Sequence, residues 1–99
     1  MLVIITTQAT IRPSKPLTTL EIYNLTKTVA GKTLQIQIDA SKTLQDLADA
    51  ADSQMSIDPT LTIEERLIKG DNVLDNNQTL AQAGITDGSS VVYKFVLLA

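Results

Sequence analysis

The chain has 99 residues, 43% hydrophobic and 19% charged, which suits one domain with an aliphatic core, since Tyr23, Tyr93 and Phe95 are its only aromatics. Cysteine and histidine are both absent, which excludes a disulfide framework, a zinc knuckle, a cysteine nucleophile and a histidine general base. Eight basic and eleven acidic residues leave a net charge of −3, unlike the concentrated basic face of a nucleic-acid binder, and the composition favours a binding or carrier domain over an enzyme.

The opening MLVIITTQ is β-branched and reads as a short strand. Pro13 and Pro16 make ATIRPSKP a linker rather than a helix or a central strand. LTTLEIYNLTKTV has strand composition, with Leu20 and Ile22 alternating until the pattern shifts at Tyr23 and Leu25, as at a bulge. Ala30-Gly31-Lys32 forms a turn, because Gly31 takes a positive φ without steric cost. KTLQIQID then alternates, with Leu34, Ile36 and Ile38 on one face, completing a hairpin.

Ser41 or Thr43 caps a helix, and Asp46 in its first turn suits the helix dipole. Leu44, Leu47, Ala48, Ala51 and Met55 make one apolar stripe, with Asp46, Asp49 and Asp52 assigned to the solvated side. Asp58-Pro59 ends this element. ERLIKG is a short strand stopping at Gly70-Asp71-Asn72. Thr79 caps a single turn, LAQAG, closed by Gly84, and Asp87-Gly88 turns into a last strand, SVVYKFVLL. Hairpin, amphipathic helix and returning strands imply an α+β roll.

Charge is unevenly spread. Residues 1 to 42 hold five basic and two acidic groups (+3), and residues 43 to 99 hold three and nine (−6). Such a polar chain can associate head to tail, although solvated charge is the commoner arrangement. No apolar stretch approaches the ~20 residues of a membrane span. MLVIITTQAT lacks the positive n-region of a signal peptide, so a cytoplasmic setting is expected.

The order of these motifs resembles ubiquitin and the wider family of β-grasp ubiquitin-like proteins over residues 20 to 98. TVAGKTLQIQID is similar to the first hairpin of that family and DASKTLQDLADAA to the start of its main helix. ERLIKGDNVLDNNQTLAQAGI is similar to the run from the third strand through the short helical turn, and ITDGSSVVYKFVLL to the final turn and strand. The resemblance implies a ubiquitin-like β-grasp roll at 20–99, preceded by a strand-like arm and Pro-containing linker at 1–19. It also implies a partner-binding patch on the sheet, whose counterparts here are Ile68, Val29, Val92 and Lys94. Val92 stands where ubiquitin has a histidine and Lys94 where it has an apolar residue, so the usual ubiquitin receptors are not expected to bind.

A conjugated modifier of the family ends in a flexible diglycine tail, whereas this chain runs Val96-Leu97-Leu98-Ala99. Leu98 and Ala99 are nevertheless assigned as the conjugation tail, since Ala99 is small enough for that role, the alternative being that Leu97 and Leu98 are core residues at the end of the strand. Of the lysines ubiquitin uses for chains, Lys27 and Lys32 match in position, while the two most used positions are Asn72 and Asp87, so ordinary chains are not expected.

Other chemistry is sparse. Glu64 and Glu65 are adjacent and point to opposite faces of a strand, and DNNQ at Asp75 to Gln78 lacks the calcium-loop pattern. No metal, cofactor, P-loop or dinucleotide fingerprint is expected. The first reading is a divergent ubiquitin-like modifier, not itself an enzyme, attached to a target protein by activating and conjugating enzymes. The arm, through Leu2, Val3, Ile4 and Ile5, is expected to pair with a neighbouring copy, the alternative being an extra strand on its own sheet. The second reading is a noncovalent interaction module or scaffold, as in a secretion-type machine or a strand-exchanged oligomer.

Overall fold

The computed structural model describes residues 1–99 as one mixed sheet with two helices. In chain order the elements are β1 (Leu2–Arg12), α1 (Thr19–Val29), β2 (Thr33–Gln37), α2 (Leu44–Gln54), a 3-10 turn at Pro59–Leu61, β3 (Thr62–Lys69), β4 (Asn72–Val73) and β5 (Ser89–Leu98). The strand order is β2-β1-β5-β3-β4. Only β1 and β5 run parallel, in register from Val3↔Ser89 to Arg12↔Leu98, and the other pairs are antiparallel. This is the α+β ubiquitin-like roll expected from the chain's pattern.

Two expectations are corrected. Residues 2–12 are not an arm but the second strand of the sheet, bonded to β2 on one side and β5 on the other. Val3 and Ile5 are fully buried in the core of their own chain, so pairing in trans gives way to pairing in cis. The expected division at residue 19 disappears with the arm. The reason is that β1 and β2 are the two arms of the hairpin, with residues 13–32 inserted between them. Gly31, at φ 67, donates its N–H to the Thr7 carbonyl at 2.9 Å, and Thr7 donates to the Lys32 carbonyl at 2.9 Å. These bonds bring the chain back beside β1 after the insertion.

The second correction lies inside the insertion: Thr19–Val29 is helix, not strand. Thr18 caps it, accepting from the Glu21 N–H at 3.1 Å, and Glu21 and Lys27 sit at the ends that suit the helix dipole. Thr26 and Thr28 turn their hydroxyls back onto the Ile22 and Asn24 carbonyls, satisfying the hydroxyls within the helix. Pro16 lies upstream and Gly31 downstream, so nothing interrupts the run.

α2 forms as its spacing predicts. Thr43 and Asp46 close a capping box, and Leu44, Leu47, Ala48 and Ala51 are buried against the sheet with Val3, Ile5, Ile36, Leu67, Val91 and the stacked pair Tyr93–Phe95, whose rings are 4.7 Å apart. Leu80 and Ile85, from the turn before β5, close the end of this core. Asp87 accepts the Leu2 N–H at 2.6 Å, and Gly88, at φ 83, donates to the Leu2 carbonyl at 2.7 Å, which fixes the start of β5 beside β1.

Candidate interaction surface

With the core on one side of the sheet, the other side faces water. The strand register sorts its side chains into rows. Val92 lies between Thr6 and Ile68, and Ile68 pairs in turn with Val73. Lys94 lies between Gln8 and Arg66, and Val96 between Thr10 and Ile63. The surface therefore runs apolar, cationic, apolar along β3 and β5, with rows about 6.6 Å apart. Val73 is 64% exposed and extends the first row to the sheet edge.

Three of the four residues expected to form a patch share this face: Ile68, Val92 and Lys94. Val29 does not. It is the last residue of α1, 2% exposed, and belongs to the core. Its strand assignment placed it at a hairpin turn; as a helix residue it points into the protein. Arg66, Ile63 and Val96 are the members sequence reasoning missed. Alternation along SVVYKFVLL already puts Val92, Lys94 and Val96 on one face, but the partners across the strand depend on the register.

That register contains a bulge between Ile63 and Arg66, where Glu64 takes φ 53. The extra residue lets Ile63 and Arg66 both face outward, while Glu65 turns toward α2. Arg12 reaches Glu64 at 3.5 Å, an exposed ion pair worth little by itself. Neither Arg66 nor Lys94 has a carboxylate within ion-pair distance.

Leu98 and Ala99 are held at the end of β5. Leu98 pairs with Arg12, the Ala99 N–H donates to the Arg12 carbonyl at 3.2 Å, and Ser14 donates back to the Ala99 carbonyl. Beside them lies an open groove of about 280 Å³, walled by Leu25, Met55, Ile57, Leu61 and Leu97. It separates α1 from the chain that follows α2.

Behind the sheet, Asp52 corrects another expectation. It is fully buried rather than solvated, taking hydrogen bonds from the Tyr93 hydroxyl at 3.0 Å and the Thr62 hydroxyl at 3.3 Å. Burial pushes its carboxyl up to about 6, helped by the charges of Glu65 and Asp49 and opposed by the two hydroxyls. The Tyr93 hydroxyl is raised as well, by burial and then by Asp52 itself. The single Thr62 proton is shared among Asp52, Glu65 at 3.1 Å and the Pro59 carbonyl at 2.9 Å, so the cluster has more acceptors than donors when both carboxylates are ionised. Asp39 and Asp58 shift the other way, held low by hydrogen bonds from Ser41 and Thr60 that cap local turns.

The family model described as ubiquitin-2 like, Rad60 SUMO-like matches residues 25–92. The chain belongs to this ubiquitin-like family. The match begins within α1, so the ubiquitin-like domain recruits its first strand from residues that precede the matched region. No curated protein sequence matches the chain. No helix of the domain is long and apolar enough to cross a membrane.

Proposed function

We propose that this ubiquitin-like domain is a noncovalent interaction module that receives a protein partner on the open face of its sheet. The observation that carries the reading is the row Val92–Ile68–Val73, apolar side chains left in water on a sheet whose opposite face already has its core. The proposed setting is the cytoplasm. Neither docking nor scaffolding asks the chain for a catalytic group of its own.

Covalent attachment through Leu98 and Ala99 is the second reading, with activating and conjugating enzymes as partners. Both residues are held by β1 and the segment after it, so presenting them to an enzyme channel requires peeling the end of β5 from Arg12 and Ser14. That requirement favours contact over attachment.

Denaturing electrophoresis of the tagged chain, expressed in its organism of origin, discriminates the two because covalent adducts survive denaturation. The expected result is no adduct, with a cross-linked partner lost from an Ile68→Ala, Val92→Ala double variant and retained by Ala99→Asp. An adduct ladder that vanishes in Ala99→Asp would establish the modifier reading instead.

A further inference from the structure

α2 and β3 meet along a seam of carboxylates that no cation neutralises. Asp52 is fully buried on α2, and the half-buried Glu65 turns in toward it from β3. Both reach one hydroxyl, since Thr62 donates to Asp52 Oδ2 at 3.3 Å and to Glu65 Oε1 at 3.1 Å. The other elements packed here bring no positive charge. Asp49 adds a third carboxylate from α2 itself, and β5 contributes the Tyr93 hydroxyl, which donates to Asp52 Oδ1 at 3.0 Å. β2 carries no titratable side chain, and Asp58, on the turn before β3, is occupied by Thr60. The domain's single ion pair, Arg12–Glu64, is exposed and does not reach the seam.

A proton on Asp52 Oδ2 satisfies this seam: Asp52 donates to Thr62, and the Thr62 proton is left for Glu65 and the Pro59 carbonyl. Without it, two carboxylates face one hydroxyl and repel each other where water is excluded. Asp52 is fixed in a helix. Glu65 sits in the bulge, where Glu64 and Glu65 stand between the pairs Ile63–Val96 and Arg66–Lys94 and the ladder to β5 is broken. Glu64 holds φ 53 there, a conformation that residues other than glycine rarely adopt. On the outer side only the exposed Arg12–Glu64 pair restrains the bulge. On the inner side Gln45 reaches Glu65 Oε2 at 3.4 Å but also serves Asp49 at 3.1 Å, so the Thr62 contact is the main restraint.

We infer that Asp52, Thr62 and Glu65 form a pH-sensitive latch between α2 and the bulge of β3, closed while a proton on Asp52 joins the two carboxyls and released when that proton leaves. Release lets Glu65 swing into water and frees the bulge that turns Ile63 and Arg66 outward. Burial raises the Asp52 carboxyl from 3.8 to about 6, so the latch is closed below that pH and open above it. Histidine ordinarily senses this range, and the chain has none. The latch works whatever the open face of the sheet binds.

The test follows the carboxyl carbons of Asp52 and Glu65 and the amides of residues 62–66 by NMR of the isotopically labelled chain, from about pH 4 to pH 8. The expected result is a transition near pH 6 shared by both carboxyls and the bulge amides. Hydrogen exchange at residues 64–66, corrected for its intrinsic pH dependence, should be about tenfold faster above the transition than below it. Amides of residues 2–6 in β1 should stay still, which separates release from unfolding. Asp52→Asn, whose amide donates as the protonated acid does, should hold the bulge amides in their low-pH positions at pH 8. Glu65→Gln should lower the Asp52 midpoint and abolish the amide transition. Bulge amides that stay still while Asp52 titrates, or that keep the same transition in either variant, would overturn the inference.

Discussion

The two helices have the same length and the same kind of cap, and do different work. α1 and α2 are each eleven residues and each begin with a threonine that accepts a backbone N–H. α2 buries Leu44, Leu47, Ala48, Ala51 and Asp52, whereas α1 buries Val29 alone and leaves Leu20 and Tyr23 in water. Local chemistry decides that both segments are helical. The load each bears depends on what it covers: α2 lies over the sheet, and α1 sits in an insertion beside β1. The core of the domain is thus borne mainly by α2, and the inserted α1 adds Val29 at its edge.

The largest effect expected from this contrast is in the core. Leu47→Ala should destabilise the domain by about 3 kcal/mol in chemical denaturation, and Leu25→Ala in α1 by about 1 kcal/mol or less, because the half-buried site leaves little cavity. Equal losses would mean that α1 bears as much of the core as α2 does.

A middle-sized effect concerns the buried carboxylate of α2. The folded state holds the Asp52 proton more tightly than the unfolded chain, with the carboxyl raised from 3.8 to about 6. Its contribution therefore falls as pH rises through that window and is level above it. Asp52→Asn retains an acceptor for Tyr93 and removes the buried charge, so it should stabilise the domain at pH 8 by about 1–2 kcal/mol and flatten the stability profile between pH 4 and 6. Denaturation across pH checks both. A slope unchanged by the substitution would place the titration elsewhere. Asp39 and Asp58, held low, act in the opposite sense: the stability they contribute is lost as pH falls through their lowered values.

The smallest expected effect separates the caps. Thr43→Ala breaks a capping box on a helix packed over the core and should cost about 1 kcal/mol; Thr18→Ala should cost a few tenths of a kcal/mol in global stability, because α1 can fray without opening the core. Hydrogen exchange at α1 amides should nevertheless rise in Thr18→Ala. Protection that stays uniform across both helices would contradict a loosely coupled α1.

Much of the architecture is legible in the sequence. α2 announced itself by capping residues and a stripe at three- and four-residue spacing, and β5 by alternation between buried Val91, Tyr93, Phe95 and Leu97 and outward Val92, Lys94 and Val96. Asp52 could have been placed correctly from the same periodicity. Eight positions after Leu44 is about 80° round the helix, at the flank of the stripe, while Asp49 and Asp46 lie at about 140° and 200°. The three aspartates share a residue type but not a face of the helix. α1 is harder to read, because Thr26, Thr28, Ile22 and Val29 carry strand propensity, and the Thr18 cap is the local signal against it.

The chain's own pattern determined the helix over the core, the turns at glycine and the final strand, since each is specified by neighbours within a few positions. The fate of residues 2–12 was different. Their pairing joins Val3 to Ser89 and Ile36, and no local pattern distinguishes a strand that waits for a distant partner from one that seeks a second molecule. The same holds for the interaction surface: Lys94 is visible in the sequence, but its opposition to Arg66 exists only once a bulge at Glu64 has set the register of β3. Contacts between residues far apart in the chain are decided by the packed sheet, and it is there that the arm becomes a central strand and scattered cations become one face.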